Sequence, residues 1–136
     1  MFQRVTLIGH VGQEPQMRYT PDGTPVTNFS VATKTAISKD RSPEAPAGWV
    51  ESYNGRNWEL TTWWRVACWR GLAETVNQYV QKGMVVFVEG EVSGESANGT
   101  QNPRVWTGND GVARASYELT ARNVKFLSRV GEASST

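Results

Sequence analysis

Between Thr61 and Arg70 the chain reads TTWWRVACWR, three tryptophans and two arginines in ten residues. Such a run offers stacking and charge rather than bond making. Side chains alternate across a strand, so positions 58 to 70 divide into two faces. Trp58, Leu60, Thr62, Trp64, Val66 and Cys68 make an apolar face that ends in Arg70. Glu59, Thr61, Trp63, Arg65, Ala67 and Trp69 make the other, and burying its two charges without partners would cost several kcal/mol or more. Trp63 and Trp69 are therefore expected in solvent with Arg65 between them. Contiguous exposed aromatic area marks a binding surface. Planar rings interleaved with cations suit the bases and phosphates of single-stranded nucleic acid, where each stacked base is worth about 1–3 kcal/mol. The competing reading is hydrophobic cover for a neighbouring loop, or a subunit contact. Trp64, on the inward face, is expected in the core or at a subunit interface.

The same chemistry recurs in PRVWTG, which sets Arg104 two residues before Trp106, although that ring could instead fold back as loop filler. Further candidates to meet phosphates are Lys34, on the outward face of an earlier strand, Arg114 and Lys82. Trp49 and Tyr53 stand in a Ser-, Pro- and Gly-rich segment from 38 to 57, and a structureless stretch of that length inside a compact domain is usually functional or disordered.

Catalytic classes find little support. One histidine, His10, and one cysteine give no zinc-ligand spacing, and a nucleophile triad would have to be built around His10 alone; His10 could face the same groove but is expected to be satisfied by local hydrogen bonds. Gly9 and Gly12 lack the spacing and the Lys-Ser/Thr of a phosphate loop. The expectation is a binding protein without metal or cofactor, not an enzyme. Cys68 cannot form an intrachain disulfide and reads as a core filler in a reducing compartment. The opening residues are too short an apolar stretch for a signal sequence, and no run is long enough for a membrane span, so a cytoplasmic, nucleoid-associated protein is expected.

At 136 residues, with 38% hydrophobic and 20% charged residues, the chain suits one globular domain. Fourteen Lys and Arg against thirteen Asp and Glu leave a net charge of +1, so only a local arrangement of cations could attract a polyanion. Strand patterns cover 4–11, 26–37, 58–70, 84–92 and 115–127. After the third, Leu72, Val76, Tyr79 and Val80 fall on one helical face and Gly83 supplies a stop. A turn-rich link precedes the second strand, and a second polar loop spans 93–113. Three strands, a helix and two strands predict an all-β fold with one helix, a five-stranded antiparallel Greek-key barrel of the OB type over residues 1–128, followed by a polar tail at 129–136. In such barrels the second and third strands and the loops after the first and fourth form the ligand face.

Three stretches carry a family resemblance: RVTLIGHVGQEPQMRYTPDGTPVTNFSVAT, TTWWRVACWRGLAETVNQYVQKGMVVFVEGEV and VWTGNDGVARASYELTA. In them the chain resembles the bacterial single-stranded DNA-binding proteins over nearly its whole length. The resemblance implies a homotetramer that binds single-stranded DNA without marked sequence preference and protects unpaired strands during replication, recombination and repair. It implies base stacking at Trp63, Trp69 and Trp106. The position after Trp63, often histidine in the family, is Trp64 here, and an aromatic expected near Ile37 is absent. Trp49 or Tyr53 is expected to substitute for it. The family usually ends in an acidic tip that recruits replication and repair proteins; the sequence stops at GEASST, so those partners are expected only if such a tip lies beyond it. From another class, a carbohydrate-binding module would use similar tryptophan rows.

Overall fold

The alternating strands close on one another. The computed structural model describes residues 1–128, in the order β1 (Val5–Val11), β2 (Gln16–Tyr19), β3 (Pro25–Ser38), β4 (Val50–Glu51), β5 (Asn57–Trp69), α1 (Arg70–Tyr79), β6 (Val85–Ser93), β7 (Glu95–Ala97), β8 (Thr100–Asn102), β9 (Val105–Thr107), β10 (Ala113–Ala115) and β11 (Tyr117–Phe126). β1 pairs with β3 and β6, β6 with β11, β11 with β5, and β5 back with β3. That cycle is the predicted five-stranded barrel with the helix between its third and fourth strands. Its closing ladder, β5 with β11, is parallel rather than antiparallel. The expected tail at 129–136 lies outside the described residues.

One face of each barrel strand fills the interior. Leu7, Phe29, Val31, Val66, Val88 and Leu119 are buried in a single cluster that also takes in Cys68. Helix α1 covers part of it with Ala73 and Val76, and the buried Thr27 hydroxyl donates to the Ala73 carbonyl at 2.7 Å. The helical face differs from expectation. Val80 already has extended geometry and is buried beyond the helix end, whereas Tyr79 is exposed beside Phe126, ring centroids 6.0 Å apart. Gly83, at φ 91°, makes the turn that lets its N–H donate to the Val11 carbonyl. On the far side, Arg122 falls at a register shift between Ala121 and Asn123 and pairs with Glu91 at 3.0 Å. Hydrogen bonding and charge from Arg122 hold the Glu91 carboxyl below its usual range.

Segments read as loops carry more structure than their composition suggests. The link after β1 holds β2, which pairs with β3 from Gln16↔Asn28 to Tyr19↔Pro25. Residues 38–57 are not structureless: β4 pairs with β5, Lys39 bonds Glu51 at 2.5 Å, and its ammonium sits 4.4 Å from the Trp58 ring centroid. The second polar loop folds into two hairpins, β7–β8 and β9–β10. Short edge strands of this kind lack the alternation that long strands display.

Candidate nucleic-acid interface

Registers across β2, β3, β5 and β11 decide which side chains meet on the outer wall. Val26 opposes Trp69, Asn28 opposes Ala67, Ser30 opposes Arg65, Ala32 opposes Trp63 and Lys34 opposes Thr61. β2 adds Arg18 beside Val26 and Gln16 beside Asn28, and β11 adds Glu118 beside Arg65. Trp63 is 55% exposed and Trp69 42%, and Arg65 and Lys34 are exposed as well. Parity puts Trp63, Arg65 and Trp69 on the outward face of one strand and Lys34 on the outward face of another, and the β3–β5 register joins the two into one wall.

Two hollows lie on this face. The first, of about 370 Å³, is walled by Trp63, Arg65, Ser30, Gln13 and Glu14, and the second, of about 500 Å³, by Trp69, Ala67, Arg104 and Glu118. Arg18, Asn28 and Arg65 border both. The two adjoin through these shared residues, and each is large enough for a planar ring. Trp63 lies over Gly12, where a Cβ would collide with the indole ring. At that end the Lys82 N–H donates to Glu14 Oε1 at 3.2 Å, which brings exposed Lys82 to the rim. His10 opposes Ala32 in β1, the row that carries Trp63.

Charge on the face is uneven. Arg18, Arg65, Lys34 and Lys82 form no ion pair among the described residues. Arg104 sits 3.4 Å from Glu118 and donates to the Gly94 carbonyl. Arg114 pairs with Asp110 at 2.5 Å and lies across from Trp106 on the β9–β10 hairpin. That hairpin is a sheet of its own, and neither Trp106, 41% exposed, nor Arg114 borders the two hollows. So the structure brings Arg104 onto the wall but leaves Trp106 and Arg114 beside it.

Trp64 is half-buried against the core, its ring 5.3 Å from that of Tyr117 and its indole N–H donating to Thr33 Oγ1 at 3.1 Å. Opposite Ile37 stands Trp58, not Trp49 or Tyr53. Lys39 and a bond from the Trp58 indole to the Ser42 carbonyl hold Trp58 in place. Tyr53 is fully exposed in the β4–β5 turn, and Trp49 is half-buried. Sequence reasoning passed over Arg18, Gln16 and Asn28. Only the alternation in QMRY pointed to Arg18, and a four-residue strand between Pro15 and the PDG turn reads as part of the link.

A closed five-stranded barrel with one helix between its third and fourth strands is an OB-fold. The model of the Single-strand binding protein family matches residues 2–127. The chain belongs to that family. It is 36% identical over 124 residues to the single-stranded DNA-binding protein of Neisseria meningitidis serogroup B, covering 91% of this chain and 59% of the relative. Against single-stranded DNA-binding protein 1 of Xylella fastidiosa the identity is 32% over 126 residues, covering 93% of this chain and 77% of the relative. The chain therefore spans about three fifths of the Neisseria relative. Among solved structures, a Plasmodium falciparum SSB complex with ssDNA superposes with TM-score 0.61 at 21% identity, covering 94% of this chain and 96% of that one. A deletion mutant of the single-stranded DNA binding protein from Thermus aquaticus gives 0.58 at 22%, covering 94% and 51%. At those identities the likeness is one of fold.

Proposed function

We propose that the outer wall of β2, β3 and β5 binds single-stranded DNA without marked sequence preference, and that the protein shields unpaired strands during replication, recombination and repair. The observation that carries this reading is Arg65 standing, without an ion-pair partner among the described residues, between exposed Trp63 and Trp69 on one face. Bases stack on the two rings, and Arg65, Arg18 and Lys34 meet the phosphates between them. Trp106 and Arg114, on a separate hairpin, lengthen the track. Nothing is chemically transformed. Stacking on a π-face accepts every base, so the affinity comes from ring area and charge. The family resemblance adds assembly as a homotetramer, with Trp64 a candidate contact, and a nucleoid-associated location.

Titration with oligo-dT tests the proposal. Tryptophan fluorescence should be quenched by the oligonucleotide and not by duplex DNA, with affinity falling at a log-log salt slope of about −0.7 per phosphate met. Trp63→Ala and Trp69→Ala should each weaken binding by about 1–3 kcal/mol while the unfolding temperature holds. Equal binding of duplex and single strand would sink the reading, as would salt-insensitive binding of a glycan.

A further inference from the structure

Two buried side-chain oxygens among the described residues have no hydrogen-bond partner, Ser30 Oγ and Glu118 Oε2. Register puts both in one row across the outer wall, Ser30, Arg65, Glu118 and Ser93, with Arg65 between them. Buried polar atoms without partners are uncommon, and each is costly unless something arrives to satisfy it. Ser30 can rotate its hydroxyl. Glu118 has the greater need: its side chain is only 11% exposed, and Arg104 Nε approaches Oε2 at 3.4 Å as a charge neighbour rather than a hydrogen-bond donor.

Arg104 itself is about half exposed on the segment between β8 and β9, and it borders the same hollow as Trp69 and Glu118. A phosphate entering that hollow would draw the guanidinium toward itself, because Arg pairs with phosphate through two parallel N–H bonds. Glu118 would then be a nearly buried carboxylate without its ion-pair partner and without a hydrogen-bond donor on Oε2, its register neighbour Arg65 being one of the cations turned to phosphate. A base stacked on Trp69 can repair that loss if its edge offers N–H groups. Guanine offers two adjacent ones, the ring N1–H and the exocyclic amine, spaced to meet the two oxygens of a carboxylate. Thymine offers one N–H flanked by two carbonyls that repel a carboxylate.

Resting on the single-stranded DNA reading above, we propose that Glu118 is the edge-reading residue of a nucleobase subsite in the Trp69 hollow, which favours guanine within an otherwise base-tolerant track. Arg104 caps the carboxylate in the free protein and exchanges it for phosphate when DNA enters. Glu118 sets preference rather than affinity, since the rings and the unpaired cations serve all bases alike.

Short dT oligonucleotides carrying one central thymine, inosine or guanine test it by competition. Guanine should bind about fivefold or more tighter than thymine, with inosine, which lacks the exocyclic amine, in between. In Glu118→Gln the three should converge, the guanine-to-thymine ratio falling toward one. Guanine and inosine binding equally to the parent protein would overturn the proposal without need of any variant. A uniform loss for all three oligonucleotides in Glu118→Gln, with their order kept, would also overturn it and leave Glu118 as an anchor for Arg104. Failure of the parent protein to bind any of them would instead overturn the single-stranded DNA reading, and this proposal with it.

Discussion

Gly12 decides how Trp63 presents its ring. The indole lies against the Gly12 backbone, and a methyl at that position would meet Cζ3 and Cη2 of the ring as well as the Ser30 hydroxyl. Gly12→Ala should tilt Trp63 off the wall and weaken oligo-dT binding by up to about 3 kcal/mol, the worth of one stacked base. Because the displaced ring is more than half exposed, the core is untouched and the unfolding temperature should change little. A variant that bound dT normally would show that Trp63 stacks in some other pose. At this scale the sequence was informative wherever a residue sat on a long strand. Alternation in β5 separated Trp63, Arg65 and Trp69 from Trp64, Val66 and Cys68, because a solvated charge and a buried valine cannot share a face. It was silent where position depends on contact across the chain. Nothing in the string places Glu118 beside Arg65, or Trp63 over Gly12, because strand partners are set by tertiary closure.

The junction of β5 and α1 is strained at one residue. Arg70, the first residue of the helix, has φ 60°, a left-handed conformation in which the Cβ of an L-residue crowds the following carbonyl oxygen. Trp69 precedes it with extended geometry, so this single residue turns the strand into the helix. Arg70→Gly should raise stability by about 1 kcal/mol, the strain relieved less the extra freedom of glycine in the unfolded chain. Arg70→Ala keeps a Cβ and should gain nothing. Thermal unfolding of the two variants beside the parent separates strain from loss of charge, and equal shifts would contradict the strain account. Elements of ten or so residues were legible as periods: five strands and a helix were read in order. Edge pieces were not. β2, β4 and the strands of the two hairpins have two to four residues each, too few to show a period, and exist because a neighbouring edge or a hairpin partner supplies their hydrogen bonds. The helix end is hidden from the sequence for a related reason. Val80 is buried, as a helical stripe would have it, but by an extended residue packed beneath the turn at Gly83.

For the molecule as a whole, the barrel keeps its charge outside and its one thiol in the core. A net charge of +1 draws no polyanion, and attraction is confined to a wall where Arg18, Arg65 and Lys34 have no acid paired to them among the described residues. Composition could not show that wall, because it exists only after β2, β3 and β5 align. The closing parallel ladder between β5 and β11 was equally invisible, since alternation says which side faces in and not which way a partner runs. Cys68 reports on closure from within. It is fully buried, and burial pushes its thiol up to about 12 from an ordinary 9.0. The unfolded thiol ionises near pH 9 while the folded one stays protonated. Its contribution to stability is therefore complete below pH 9 and lost progressively as pH rises from about 9 to about 12, by at most about 1.4 kcal/mol for each pH unit in that window. Below pH 9, Cys68→Ala lowers stability by the methyl-sized space it leaves, and it removes the titrating group. Denaturant unfolding from pH 8 upward should consequently show a shallower alkaline decline for Cys68→Ala than for the parent. Parallel declines would mean that the thiol of the folded protein reaches water and ionises in its ordinary range.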